Sequence, residues 1–263
     1  MQPKSSQTPS QTFPLVASVL GYMQFLKLLF IRHAESTGNT EKRMQGQGEY
    51  PLTEKGQQQA EKLGQLLLRE GWTPSHIYSS PLRRTLQTTK IALAPFQDRS
   101  PAFVRDWTNS VSVAEDPEPI IIAYMDDLRE FHNGIFQGLT WVEAKARYPE
   151  LCAKLESTPE WIQVPEAESL MEIRDRAHRF ICKILNRHKN NDKLWIVSHS
   201  GFLPHLIAEL LGMDRSWRIS SHNTAMFEFW IDRDRWHLQN ENRLNTDLWQ
   251  IRRFNDYRHL MDD

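Results

Sequence analysis

Residues 26–36, Leu26-Lys27-Leu28-Leu29-Phe30-Ile31-Arg32-His33-Ala34-Glu35-Ser36, decide how the rest of the chain is read. Leu26 to Ile31 form a short, almost continuous apolar run, the pattern of a strand covered on both faces. The run stops abruptly at a cation and an imidazole, Arg32 and His33. In an open α/β sheet, ligands bind in the crevice outside the carboxyl ends of the strands. That is where this pair would stand.

Working outward, residues 54–70 read as a helix. Thr53 is its N-cap, and Ala60, Leu63, Leu66 and Leu67 fall on the face opposite Glu61, Lys62 and Arg69. A short strand follows at His76–Ser79. Ser80-Pro81 then looks like an N-cap with proline at the first helical position, which puts Arg83 and Arg84 in the first turn. The same order returns later. Leu194–Val197 is a buried strand ending in Ser198-His199-Ser200-Gly201, and a helix runs from about Leu203, with Pro204 near its start and Gly212 as its stop. Strand-helix alternation of this kind predicts a three-layer αβα sandwich around a mostly parallel central sheet.

Between these regular parts the pattern is weaker. From Ala94 to Asp127 only Ile120–Tyr124 reads as a strand, and Pro95, Pro101, Pro117 and Pro119 mark a surface excursion. Thr140 with Glu143, and Ser169 with Glu172, have capping-box spacing. The second box opens a long amphipathic helix with Leu170, Ile173, Ala177, Phe180, Ile181, Ile184 and Leu185 on one face. Residues 95–190 are therefore expected to form a smaller helical and irregular lid insertion. Thr224–Ile231 and Arg235–Gln239 read as strands joined by a turn at Asp232–Asp234. The expected organisation is a leader over 1–25, one domain over 26–240, and an Arg- and aromatic-rich extension over 241–263.

Composition narrows the function. In 263 residues, 32 Lys and Arg stand against 33 Asp and Glu, for a formal charge of −1. Without a global basic excess, binding to a nucleic-acid backbone or an anionic membrane is not expected. An anionic ligand would have to be held by a local cluster of cations. Cys152 and Cys182 have neither a CxxC pair nor zinc-ligand spacing, which suits a reducing, cytoplasmic setting. Neither do the histidines show a usual zinc pattern, so no metal and no cofactor are expected. Residues 1–12 are rich in Ser, Gln, Thr and Pro and read as disordered. The apolar run 13–23 is too short to span a bilayer, and behind Lys4 it makes only a weak secretion signal.

His33 and His199 each follow a buried strand, and Arg84 lies in the first turn of a helix after a third strand. Helix N-termini favour anions through their free N–H groups and positive dipole end. Each feature alone is weak, since a histidine after a strand is more often a hydrogen-bonding loop residue. Together, two histidines, two arginines and helix N-termini describe a phosphate-sized site.

At this point the chain resembles the histidine phosphatase superfamily, also called phosphoglycerate mutase-like. The resemblance rests on Leu29–Ser36 with Asn39, on Pro51–Gly56, and on Ser79–Thr85 with Gln87 and Thr88. It continues through Leu128-Arg129-Glu130 with Gly138-Leu139-Thr140, and ends on Val197–Gly201. These motifs occur in family order. The resemblance implies that His33 is the nucleophile that takes the phosphoryl group. It implies that Arg32, Arg84 and His199 hold the phosphoryl oxygens and that Glu130 protonates the leaving alkoxide. Asn39, Gln45 and the backbone N–H beside Ser200 would complete the oxygen contacts. A small phosphorylated metabolite is the implied partner, and a homodimer is possible.

Some positions depart from the family. Ala34 and Ser200 stand where glycine is common, and the interval from Arg84 to Glu130 is long, which keeps Glu115 and Glu118 open as donors. Phe131 replaces an arginine of the mutase pattern, although His132 and Gly134 match it. The reading is therefore a metal-independent phosphatase. A 2,3-bisphosphoglycerate-dependent mutase is the alternative, and a non-catalytic phosphate-binding protein on the same fold is the second.

Overall fold

The structure, a computed structural model, describes residues 24–96, 101–103 and 119–261. The leader up to residue 23, and Glu115 and Glu118, lie outside the described residues. Seven strands form one sheet: β1 (Leu26–Arg32), β2 (His76–Ser79), β3 (Pro101–Phe103), β4 (Ile120–Tyr124), β5 (Lys193–Ser198), β6 (Met226–Ile231) and β7 (Trp249–Asp256). Their order is β3-β4-β2-β5-β1-β6-β7. The first five are mutually parallel, β6 runs antiparallel to β1, and β7 antiparallel to β6.

The α-helices are α1 (Thr37–Thr40), α2 (Glu54–Arg69), α3 (Arg83–Leu93), α4 (Trp141–Arg147), α5 (Pro149–Ser157), α6 (Leu170–Arg187) and α7 (Leu203–Leu210). β1 shows why its apolar run is nearly continuous. Leu26, Leu28 and Phe30 face one core with the inner sides of α6 and α7. Leu29 and Ile31 face a second core with α2 and α3. Alternation along the strand sends neighbours to opposite faces, and both faces are covered. Phe180 of α6 is fully buried in the first core, and trimming it to alanine would cost about 3–5 kcal/mol.

The predicted caps form. Thr53 accepts from the Gly56 N–H, and both capping boxes, Thr140 with Glu143 and Ser169 with Glu172, close reciprocally. Gly212, one residue past the cap of α7, takes φ of 63°, the left-handed conformation that glycine reaches without a Cβ penalty. α3 starts later than expected. Its N-cap is Leu82, because Ser80 Oγ accepts from the Leu82 N–H at 3.3 Å and holds Ser80-Pro81 in a turn.

Three expectations are corrected. Arg235–Gln239 is not the partner strand of β6. The Asp232 side chain accepts from the Asp234 and Arg235 N–H groups, which winds 233–235 into a 3-10 turn. The partner is β7, so the presumed extension over 241–263 supplies an edge strand of the sheet. Its Arg-rich, half-exposed faces hide the alternation that marks interior strands. Nor is 95–190 one lid. β4 lies inside the sheet and α6 packs on its core. What stands apart is roughly 126–169, whose short helices gather a small core of Phe136, Ala144 and Cys152. Among the described residues, no helix is long and apolar enough to cross a membrane.

Candidate active site

The chain leaves the adjacent strands β1 and β5 toward opposite faces of the sheet, to α2 and to α7. This is a topological switch point, which opens a crevice at the carboxyl ends. In the β1–β5 register Arg32 pairs with Ser198, so His33 and His199 are the next residues on each side. Their ring centroids lie 5.2 Å apart. Ser79 of β2 pairs with Val197, which brings Ser80 and the start of α3 to the same edge.

His33 is 2% exposed. Its Nδ1 lies 2.7 Å from the Ala34 carbonyl oxygen. A carbonyl can only accept, so Nδ1 carries the proton and Nε2 keeps its lone pair. Burial, followed by the charges of Arg84 and Arg32, holds the His33 pKa well below the ordinary imidazole value. The ring is therefore neutral at neutral pH. Its backbone is fixed on both sides: His33 N–H donates to Ser198, and Asn223 Nδ2 donates to the His33 carbonyl at 3.0 Å.

Arg84 is 1% exposed. It donates from Nε to His199 Nδ1 at 3.2 Å, and through its two terminal nitrogens to the Gly48 and Gly46 carbonyls at 2.9 and 2.8 Å. Burial lowers its pKa to about 10, which leaves it charged at neutral pH. Since His199 Nδ1 accepts, its Nε2 carries the proton and donates to Ser80 Oγ at 2.8 Å. Both nitrogens of His199 are thus bonded to protein, and the ring orients Arg84. Arg32 donates to the Ser221 carbonyl, while its buried Nε has no partner among the described residues. A buried donor of this kind costs free energy unless an acceptor arrives. Burial lowers the Arg32 pKa, opposed by the charge of Glu130.

Glu130 is 8% exposed, and its carboxylate accepts from the Phe131 N–H at 3.1 Å and the Gly201 N–H at 2.9 Å. Burial raises its pKa despite those two bonds and the charges of Arg84 and Arg32. The backbone leading to it is held carbonyl by carbonyl. Arg176 takes those of Asp127 and Arg129, Ser198 Oγ that of Leu128, and Gln47 Nε2 that of Glu130. Arg176 itself is clamped by Glu168 through two bonds of 2.8 Å.

Asn39 and Gln45 stand at the rim of the same crevice. Asn39 Oδ1 accepts from the Ser36 N–H at 3.0 Å, and Gln45 Oε1 lies 2.8 Å from Ser36 Oγ. Ser200 and Gly201 line a cleft of about 730 Å³ with Pro204, Trp217, Arg218 and Ser221. The cleft borders the partners of both Glu130 and Arg32, Gly201 and Ser221.

Sequence reasoning missed Asn223, Gln47, Ser80 as a histidine partner, and Arg176. The one available signal was the polar run Ser220–Thr224 just ahead of β6. An antiparallel strand begins at the end where its parallel neighbour finishes, so this loop falls beside His33.

A family model described as histidine phosphatase superfamily, branch 1, matches residues 28–106 and 110–243. The chain belongs to the histidine phosphatase superfamily. Within that superfamily it is 30% identical over 202 residues to phosphoserine phosphatase 1 of Hydrogenobacter thermophilus, covering 76% of this chain and 84% of that one. It is equally 30% identical over 208 residues to a 2,3-bisphosphoglycerate-dependent phosphoglycerate mutase of Corynebacterium diphtheriae, covering 70% and 76%. The fold is shared with Bacillus stearothermophilus YhfR at a TM-score of 0.66 and 24% identity, covering 89% of this chain and 99% of that structure.

Proposed function

We propose that this histidine phosphatase superfamily member hydrolyses a small phosphorylated metabolite through a phosphohistidine on His33, without a metal. The observation that carries the reading is the 2.7 Å contact between His33 Nδ1 and the Ala34 carbonyl oxygen, which assigns the tautomer of the neutral ring. Its Nδ1 proton is tied to Ala34, which leaves the Nε2 lone pair for attack.

In the first half-reaction Nε2 forms an N–P bond as the ester P–O bond breaks. The departing electron pair goes to the substrate oxygen, which takes the proton of Glu130. In the second half-reaction water attacks phosphorus, gives a proton back to Glu130, and the N–P electrons return to Nε2. The intermediate divides one hard displacement into two easier ones. Phosphoryl transfer has a loose transition state, so fixed charge and positioning carry the catalysis. Arg32 and Arg84 supply that charge, and the unpartnered Arg32 Nε fits a phosphoryl oxygen. His199 acts on the phosphoryl group through Arg84. Asn39, Gln45 and the Ser200 backbone close the rim.

Hydrolysis is favoured over mutase chemistry by Phe131. Its apolar ring lies against Gly201 beside the proton donor and adds no cation there to retain a bisphosphate. Named relatives stand on both sides of this choice, a phosphoserine phosphatase and a phosphoglycerate mutase.

The test is phosphate release from a panel of phosphorylated metabolites with chelator present, for the wild type and His33→Ala. Isomerisation of 3-phosphoglycerate in the presence of 2,3-bisphosphoglycerate is scored in parallel. Metal-independent release that vanishes in His33→Ala supports the reading. Isomerisation without release makes the protein a mutase. Silence in both assays from folded protein favours a non-catalytic phosphate binder.

A further inference from the structure

At the end of the sheet opposite the crevice, three side chains with no part in this chemistry converge. His76 opens β2, His188 caps the C-terminus of α6, and Asp192 stands just ahead of β5. One ligand atom from each lies within 4.8 Å of the others. His188 is 4% exposed, and its Nε2 lies 2.8 Å from the Tyr78 hydroxyl while its Nδ1 lies 2.8 Å from Asp192 Oδ2. The His76 ring packs edge-on against it at 4.5 Å between centroids, with Nδ1 turned to Ser75 Oγ at 3.0 Å.

We propose that His76, His188 and Asp192 form a binding site for a divalent transition-metal ion of the zinc class, with solvent in the fourth position. Two imidazoles and a carboxylate suit zinc, which takes tetrahedral nitrogen and oxygen donors. A ligating histidine generally uses its other ring nitrogen in a hydrogen bond that fixes its orientation. Both rings are arranged this way. Tyr78 holds Nε2 of His188 and leaves Nδ1 facing the carboxylate, and Ser75 holds Nδ1 of His76 and leaves Nε2. His76 and Asp192 are half-buried, which gives an ion a path in and a solvent molecule a place to bind. When the ion binds, His188 gives up its Nδ1 proton and takes one at Nε2, which then donates to the Tyr78 hydroxyl oxygen. The ring stays neutral with no net proton released, and Nδ1 and the Asp192 carboxylate turn their lone pairs to the metal. Arg187 is a neighbouring cation that acts on His76, so the Asp192 carboxylate is needed to offset its charge.

The donors come from three separate elements, and the bound ion ties the start of β2, the end of α6 and the approach to β5. The site is structural and independent of the phosphatase reading. It binds metal whether or not His33 is catalytic.

The experiment titrates the purified full-length chain with Zn²⁺ and with Co²⁺, following bound metal, cobalt absorption and thermal midpoint. The expected stoichiometry is about one zinc per chain, with a midpoint that rises on binding. Co²⁺ should give the intense visible bands of a tetrahedral site. His76→Ala and Asp192→Asn should abolish all three signals. The Asp192→Asn variant keeps an oxygen to accept from His188, which preserves the metal-free fold. Tyr78→Phe should weaken binding roughly tenfold or more. Folded wild type that binds no zinc would overturn the site, as would binding unchanged in His76→Ala and Asp192→Asn. So would binding that is lost instead in Cys182→Ser, since Cys182 Sγ lies 3.4 Å from His178 Nε2 and offers a rival thiolate-imidazole pair.

Discussion

Gly201 donates its backbone N–H to Glu130 Oε2 at 2.9 Å, across the gap between the N-terminal side of α7 and the segment that precedes the small peripheral core. A Cβ at Gly201 would stand 2.3 Å from Phe131 Cε1 and 2.7 Å from Glu130 Oε1. The glycine therefore lets the carboxyl group close on the strand ends. Its N–H fixes the Glu130 carboxyl group, which burial keeps easier to protonate than in water.

Gly201→Ala should displace Glu130 and lower kcat by about 10²-fold, the usual cost of misplacing a catalytic group by an ångström. The deficit should shrink with an aryl phosphate whose leaving group needs no proton. Steady-state rates on an alkyl and an aryl ester, side by side, check this. An equal loss on both would place Gly201 outside the proton-transfer step.

Arg176 holds the Asp127 and Arg129 carbonyls and so aims the segment that carries Glu130. Arg176→Met should lower kcat more than it changes KM, again with partial recovery on the aryl ester. It also strands Glu168, at a cost on the order of 3 kcal/mol, readable as a lower denaturation midpoint. A variant with reduced stability and an unchanged kcat would show that Arg176 is structural only.

The pH profile follows from His33. Burial and two arginines hold its pKa below the ordinary value of 6.5. The active neutral ring should persist below that pH, so the acid limb of kcat/KM should fall below it too. The substrate phosphate titrates near about 6, and its ionisation must be measured and divided out. A corrected limb at or above the free imidazole value would contradict the burial seen for His33.

The same physics sets acid stability. His33, His76, His199, His205 and His259 all have pKa values lowered by burial, those of His76, His205 and His259 to about 4. A histidine with a depressed folded pKa binds more protons when unfolded. Its stabilisation is intact above the unfolded value and is lost as pH falls toward the folded one. The thermal midpoint should therefore decline between about pH 6.5 and pH 4. His205→Gln removes one such group, on the wall of the cleft beside Gly201, and should flatten the decline. An unchanged slope would remove His205 from the account.

Legibility in the sequence tracked burial on two faces. β1 and β5 announced themselves because their apolar runs end abruptly in His33 and His199, and the parallel register did the rest. β7 was invisible. An edge strand needs only one covered flank, and Arg252, Arg253 and Gln250 broke the alternation. Ser80-Pro81 looked like a helix start because the spacing is right, yet Ser80 turned out to anchor a turn and receive His199. Asn223 and Gln47 reach the site from loops, where no periodicity places a side chain. Glu130 was found through the resemblance alone, since nothing in its local pattern says that Arg176, Ser198 and Gln47 fix four successive carbonyls beside it.

The most direct test of the central claim is to trap the phosphoenzyme. The wild type is mixed with a turned-over substrate, quenched in alkali, digested and mapped by mass spectrometry. A phosphoryl group on the peptide containing His33, labile to acid, absent in His33→Ala and accumulating in Glu130→Gln with an aryl phosphate, is the result this geometry predicts. Turnover with no phosphopeptide, or phosphate release that survives His33→Ala, would contradict it.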